Sequence, residues 1–317
     1  MRPLTGTIQS YDAPSTREIA QRVGLPLEQI VRFDGNTSPQ ALPSTRAEAL
    51  TEELARVHTY PHGGYPQLER AIADSAGVAP ENVVLGAGAD DLILLVTRSF
   101  ASPGDRVAIA NDPTYPMFPI SVWVAGAEAG DDDPVLTIAC RPNNPTGELG
   151  ELPSARPLVV DEAYFEYSGA TAVDLIEDDV IVLRTFSKAF GLAGARIGYA
   201  LASIEAATEL NKRQHPAPVS TLSAALAVAG LESPPDVSPI LEERERMAEG
   251  LRKLGFQPFP SAANFLYVPV GDPQAEYDRL LQDGLAVRPV RGGIRVTIRT
   301  RKDDERLLDA LASGHGV

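Results

Sequence analysis

Ser187-Lys188-Ala189-Phe190-Gly191-Leu192-Ala193-Gly194-Ala195-Arg196-Ile197 is the stretch on which the reading of this chain turns. It follows the unbroken apolar run Val180-Ile181-Val182-Leu183, whose β-branched content reads as a buried strand. A lysine thus stands just past a strand end, with a hydroxyl before it, glycines after it and an arginine eight residues on. Upstream, residues 135–139 and 158–160 form further continuous apolar runs. Such runs suit strands covered on both faces of a parallel sheet. Each is followed by a polar cluster: Pro142-Asn143-Asn144-Pro145-Thr146-Gly147 after the first, Asp161-Glu162-Ala163-Tyr164 after the second.

The same alternation continues outward. Residues 83–85 read as a short strand running into Gly86-Ala87-Gly88-Ala89-Asp90-Asp91 and an apolar helix over 92–100. A strand is expected at 106–109 and a helix starting within 113–123. Helical patterns occupy 15–23, 45–57 and 65–76, the last ended by Gly77. Strands alternating with helices imply an α/β sandwich, a three-layer α/β/α large domain on a mainly parallel sheet. The tail differs: helix 240–254, strand 265–269, helix 274–283, strands 285–288 and 294–298, helix 303–311. It reads as a smaller α+β domain. The expected division is 35–235 for the large domain, with 1–34 and 236–317 forming the arm and the small domain.

Bulk properties narrow the function. The 317 residues, 44% hydrophobic and 22% charged, suit a two-part globular enzyme. A formal charge of −15 argues against non-specific nucleic-acid binding, which needs a basic face. An anionic substrate must then be drawn by local arginines. Cys140 is the one cysteine and reads as a small apolar residue ending a strand, so no internal disulfide forms. Met1-Arg2-Pro3-Leu4-Thr5 lacks an apolar signal core, no run approaches a membrane span, and a cytoplasmic location is expected. No metal site is assigned.

In the order Asn144, Asp161, Tyr164, Lys188, Arg196, the polar residues resemble the pyridoxal-phosphate site of a fold-type-I aminotransferase. The chemistry asks for each type. An aldehyde cofactor that moves amino groups needs a partly neutral primary amine, which only lysine supplies; Lys188 takes that role. The cofactor ring works as an electron sink when its nitrogen is protonated, a state a buried carboxylate stabilises; Asp161, closing an apolar strand, fits. The ring oxyanion needs donors, for which Tyr164 and Asn144 are the candidates. The phosphate suits the backbone amides of Ala87, Gly88 and Ala89 at a helix start. Thr185, Ser187 and Arg196 complete that cradle, Arg196 by a charge-assisted bond. Tyr115 is the aromatic expected over the ring.

Over nearly its whole length the chain resembles the histidinol-phosphate aminotransferases. The carriers are Asp34-Gly35-Asn36-Thr37-Ser38-Pro39, Tyr60-Pro61 with Tyr65-Pro66-Gln67-Leu68, Pro113-Thr114-Tyr115-Pro116-Met117-Phe118, the Asn-Asn-Pro-Thr-Gly turn, Thr185-Phe186-Ser187-Lys188, Ser261-Ala262-Ala263-Asn264-Phe265, and Val287-Arg288-Pro289 with Ile294-Arg295-Val296-Thr297. The resemblance implies a homodimer with shared active sites, in which Tyr60 reaches the cofactor phosphate of the partner subunit. It implies Arg295, helped by Arg288, as an anion clamp for the amino donor and 2-oxoglutarate, with Asn36, Asn144 and Tyr11 in the same pocket. The chain departs from that pattern in shortened stretches at 118–142 and 147–158, in Arg299 where relatives usually have glycine, and in Thr37-Ser38 where they have Glu-Asn. The expected reaction is transfer from L-histidinol phosphate to 2-oxoglutarate. An aromatic or broad-range aminotransferase and a threonine-phosphate decarboxylase-like lyase are the alternatives.

Overall fold

The computed structural model describes residues 14–40, 50–61 and 63–315. Its central sheet has seven strands: β2 (Val83–Gly86), β3 (Arg106–Ile109), β4 (Glu128–Ala129), β5 (Leu136–Cys140), β6 (Leu158–Asp161), β7 (Val180–Thr185) and β8 (Gly198–Leu201). They lie in the order β2-β8-β7-β6-β5-β3-β4. All neighbours are parallel except β8, which is antiparallel to both β2 and β7.

Alternate residues of these strands enter two different cores, as a pleated strand covered on both faces requires. Leu158, Val160, Val180 and Val182 join one core with Leu68 and Ile72 of helix Pro66–Ala76 and Ala227 of helix Thr221–Glu232. Val159, Ile181 and Leu183 join the other, with Leu92 and Val96 of helix Ala89–Phe100, Phe118 of Met117–Ala125 and Leu210 of Ile204–Arg213. This is the three-layer arrangement. By the same alternation Asp161 and Thr185 belong to the second face, whereas Glu162 and Arg184 fall to the first.

The smaller sheet is antiparallel, ordered β11-β12-β9, from β9 (Phe265–Pro269), β11 (Arg288–Val290) and β12 (Gly293–Thr297). Beside it β1 (Val31–Arg32) pairs in parallel with β10 (Leu285–Ala286). Val31 and Phe33 pack into the core made by Met247, Leu251, Leu280, Val296 and Leu307, and Thr297 donates its backbone N–H to Phe33 O at 2.8 Å. The first helix, Thr16–Val23, is closed by a capping box between Ser15 and Glu18.

Several elements differ from the sequence reading. Strand β8 was not anticipated: it has four residues, and Gly198 and Ala200 give it little strand character. Helices Ile204–Arg213 and Thr221–Glu232 were not anticipated either; the second mixes Ala, Ser, Gly and Leu without a polar stripe. The expected helix over 113–123 starts only at Met117, because Pro113 and Pro116 precede it. The expected strand 285–288 splits into β10 and β11, which pair with different partners. The helix expected over 45–57 is observed as Leu50–Arg56; residues 41–49 lie outside the described residues. Among the described residues no helix is long and apolar enough to cross a membrane.

Candidate active site

Cys140, Asp161 and Thr185 are the last residues of three neighbouring parallel strands, so their side chains meet at one sheet edge. That edge is where open α/β sheets bind ligands. A cavity of about 240 Å³ lies there. Of the residues expected in a site, Asn36, Ala89, Tyr115, Asn144, Asp161, Tyr164, Thr185, Ser187, Lys188, Arg196 and Arg295 all line it.

Asp161 is 3% exposed. Burial pushes its carboxyl up to about 7; the Ala163 N–H, 3.0 Å from Oδ1, and Lys188 pull the other way, while Asp90 adds to the rise. No other described residue donates a hydrogen bond to this carboxylate. It is a buried acid that no described cation contacts directly by a hydrogen bond or ion pair, a contact that a protonated heterocycle would supply. Lys188 follows β7, and its Nζ donates to Gly35 O at 3.3 Å. Burial lowers its amine to about 8, helped by Arg295 and opposed by Asp90 and Asp161. A fraction of the amine is therefore neutral near pH 7, as a nucleophile needs.

Tyr164 stands on the loop after β6 and packs edge-on against Phe265, with ring centroids 5.1 Å apart. Burial pushes its phenol up, so it stays protonated and able to donate. Its oxygen accepts from Asn36 Nδ2 at 2.9 Å. Asn36 adopts φ 51°, a left-handed conformation that asparagine tolerates. Its backbone N–H goes to Thr297 Oγ1 at 2.9 Å, and its carbonyl accepts from Asn264 at 3.1 Å. Arg295, on β12, donates from Nη1 to Asn144 Oδ1 at 2.6 Å and from Nη2 to Asp34 O. With its oxygen accepting from Arg295, Asn144 keeps its amide nitrogen as a donor toward the cavity.

The helix Ala89–Phe100 starts beside Lys188. Gly88 is its N-cap at φ 89°, ψ 172°, a conformation open essentially to glycine. A Cβ there would lie 2.7 Å from Arg196 Nη2. Arg196 spans the turn, donating to Ala87 O at 3.4 Å, Ala193 O at 3.2 Å and Asp90 Oδ2 at 3.2 Å. Gly198 on β8 passes directly behind: a Cβ there would meet Arg184 O at 2.7 Å and Ala89 N at 3.1 Å. Thr185 Oγ1 donates to Ser187 Oγ at 2.9 Å and accepts the Ser187 N–H at 3.1 Å. The Ala89 amide at the helix start, two hydroxyls and a guanidinium form a receptor for a dianion. Tyr115 hydrogen-bonds Asp90 Oδ1 at 2.8 Å and packs on Phe118 edge-to-face.

On the opposite face of the sheet, Arg184 pairs with Glu162 at 3.0 Å and donates to Thr171 at 2.7 Å. Glu162 also accepts from Ala172 N and Thr171 Oγ1, and Arg184 lies 3.6 Å over the Phe165 ring. This network ties the loop bearing Ala163 and Tyr164 to β7, and so fixes the site from beneath.

Among the described residues, Arg288, Tyr60, Ala87 and Gly88 were expected in the site and do not line the cavity. Arg288 is the direct cross-strand neighbour of Arg295 and is half-buried, but does not line the cavity. Tyr60 is 80% exposed and borders a separate cavity of about 430 Å³ beside helices Leu50–Arg56 and Pro66–Ala76. Tyr11 lies outside the described residues. The Ala87 and Gly88 amides expected in the cradle are engaged elsewhere: Ala87 N–H donates to Asp91 Oδ2 at 3.0 Å and Gly88 N–H to Gly86 O at 2.8 Å, and neither residue lines the cavity. The sequence reading missed Asp90, which lines the cavity and bonds both Tyr115 and Arg196. Its signal was an acid in the first turn after a Gly-x-Gly.

The family model for aminotransferase class I and II matches residues 29–131 and 127–311. A protein of Dechloromonas aromatica, histidinol-phosphate aminotransferase 1, is 34% identical over 337 residues, which cover 93% of this chain and 92% of that one. A histidinol-phosphate aminotransferase of Thermococcus gammatolerans is 37% identical over 329 residues, covering 90% and 93%. Among solved structures, the histidinol-phosphate aminotransferase of Sinorhizobium meliloti in complex with pyridoxal-5'-phosphate superposes with a TM-score of 0.84 at 25% identity, covering 100% of this chain and 98% of that one. The L-threonine-O-3-phosphate decarboxylase of Porphyromonas gingivalis shares the fold, with a TM-score of 0.79 at 18% identity over 91% of this chain and 100% of that one.

Proposed function

The chain belongs to the histidinol-phosphate aminotransferase family of the class I and II aminotransferases, and on that premise we propose that it transfers the amino group of L-histidinol phosphate to 2-oxoglutarate, giving imidazole acetol phosphate and L-glutamate. The cofactor is pyridoxal 5'-phosphate. The observation that carries this reading is one cavity that brings together a half-buried lysine with a lowered pKa and a buried aspartate with a raised one.

When bound, the cofactor supplies an electron sink for the charge that develops at the donor's Cα. The protein supplies the rest. Lys188 Nζ would hold the cofactor's aldehyde carbon until the donor's amine displaces it, and the freed amine would then take the proton from the donor's Cα and deliver it to that aldehyde carbon. Its lowered pKa lets one amine do both within neutral pH. Asp161 would keep the heterocyclic nitrogen protonated, since the Ala163 N–H is the one hydrogen-bond donor to its carboxylate among the described residues. The Tyr164 hydroxyl and Asn144 Nδ2 donate to the ring oxygen. Ala89, Thr185, Ser187 and Arg196 hold the phosphate, and Tyr115 covers the ring. Arg295 offers a planar fork that suits both a carboxylate and a phosphate, so one clamp serves donor and acceptor in turn. Residues 35–235 hold the cofactor, and 1–34 with 236–317 bring the clamp.

The working unit is a homodimer in the cytoplasm. The exposed Tyr60, with Leu54 57% and Val57 58% exposed nearby, supports a partner on that face. Tyr60 then completes the cradle of the other subunit.

A donor panel with 2-oxoglutarate tests the substrate. Fastest turnover on histidinol phosphate supports the reading. Preference for phenylalanine points to the aromatic alternative, and carbon dioxide release from O-phosphothreonine without a keto acid points to the lyase. Lys188→Ala should abolish both turnover and the visible absorbance of the bound cofactor; normal turnover in that variant overturns the assignment.

A further inference from the structure

Asp90 places a carboxylate beside the very cradle proposed to receive a phosphate dianion, which is unfavourable by simple charge. Its contacts explain why it is there. Oδ1 accepts the Tyr115 hydroxyl at 2.8 Å, and Oδ2 accepts Arg196 Nη2 at 3.2 Å. Tyr115 and Arg196 come from different parts of the chain, before helix Met117–Ala125 and after the Lys188 turn, and Asp90 is the one described residue bonded to both.

Arg196 depends on such fixing. Its backbone is left-handed at φ 50°, and its side chain is half exposed, so packing alone does not hold the guanidinium. The Ala87 and Ala193 carbonyls and the Asp90 carboxylate engage three of its N–H donors, which leaves the others for an anion. Tyr115 likewise has Phe118 on one edge and the Asp90 bond at its hydroxyl.

We infer that Asp90 is a positioning residue of the cradle, holding the Arg196 guanidinium and the Tyr115 ring in the geometry that receives the cofactor. The inference rests on the proposed pyridoxal-phosphate reading. Orientation outweighs the like-charge cost because the ion pair is already formed before the phosphate arrives.

The test is binding, not turnover. Apoprotein of wild type, Asp90→Asn, Arg196→Gln and the double variant is titrated with pyridoxal 5'-phosphate and with pyridoxal, followed by visible absorbance. Asparagine keeps an acceptor for Tyr115 but loses the pairing with Arg196. Asp90→Asn should weaken pyridoxal phosphate about tenfold, the scale of one charged hydrogen bond, and leave pyridoxal nearly unchanged. In the Arg196→Gln background the same substitution should have no effect or tighten binding. Thermal melts of each apoprotein separate misfolding from loss of binding, and Tyr115→Phe gives a second variant should Asp90→Asn fold poorly: it should weaken both ligands by a similar, smaller factor. Equal or tighter pyridoxal-phosphate binding by Asp90→Asn with Arg196 intact overturns the inference alone. Absence of any pyridoxal-phosphate binding by the wild type overturns the cofactor reading and the inference together.

Discussion

Replacing Asp161 by asparagine should make the cofactor-free protein more stable while destroying its activity. Asp161 is 3% exposed and its carboxyl is moved from 3.8 to about 7, chiefly by burial. A folded-state pKa above the unfolded one means that the native chain holds a proton the unfolded chain has released. Stability is then fully present below about pH 4 and is lost as pH rises through about 7. The displacement corresponds to about 4 kcal/mol at pH 8. Asparagine cannot ionise, and its Oδ1 can still accept the Ala163 N–H. The advantage of Asp161→Asn should therefore grow from under about 2 kcal/mol at pH 5 to about 4 kcal/mol at pH 8. In a chain of 317 residues this is a rise in apoprotein Tm of about 6 °C. Urea titrations at the two pH values, run on apoprotein, measure it. Addition of pyridoxal phosphate should reverse the order, because the wild-type carboxylate gains a cationic partner that asparagine cannot match. A variant no more stable than wild type at pH 8, or one whose advantage is the same at pH 5, would refute the argument that this carboxylate is stored at a cost for the cofactor.

Three further outcomes follow from the same geometry. The rate at which apoprotein Lys188 condenses with pyridoxal, trapped by borohydride, should rise with pH through about 8, since only the neutral amine attacks and burial has lowered it to that value; a midpoint above 10 would mean that the amine is solvated. Gly198→Ala should cost about 1–3 kcal/mol in urea unfolding and loosen pyridoxal phosphate, because its Cβ would lie 2.7 Å from Arg184 O and 3.1 Å from Ala89 N; wild-type values for both would show that β8 can move aside. Arg295→Met should lower kcat/KM for an anionic donor by about 10–100-fold, the range of a lost charged hydrogen bond, with a smaller change for a donor lacking the anion; equal losses for both donors would remove Arg295 from the clamp.

How far the sequence carried can be judged residue by residue. The buried strands were legible because strands covered on both faces must be continuously apolar, and β5, β6 and β7 are. Asn144, Asp161, Tyr164, Thr185, Ser187 and Lys188 were legible because each ends such a strand or stands within a few residues of its end, where side chains reach the sheet edge. β8 was not legible: its identity depends on lying between β2 and β7, and its glycine is there for a contact with Ala89 that is distant in the chain. The same holds for Asp90, whose neighbours Tyr115 and Arg196 are 25 and 106 residues away.

The amino-acid order alone determined the continuously apolar strands β5, β6 and β7, the lysine that follows the last of them and the aspartate that closes β6, since local hydrophobic pattern and residue type decide these. Only the tertiary structure decided which side chains share the cavity, that Asn144 is held by Arg295, and that burial brings an amine and a carboxyl toward neutral pH. Those properties arise from distance and dielectric between segments remote in the chain, and no local pattern encodes them.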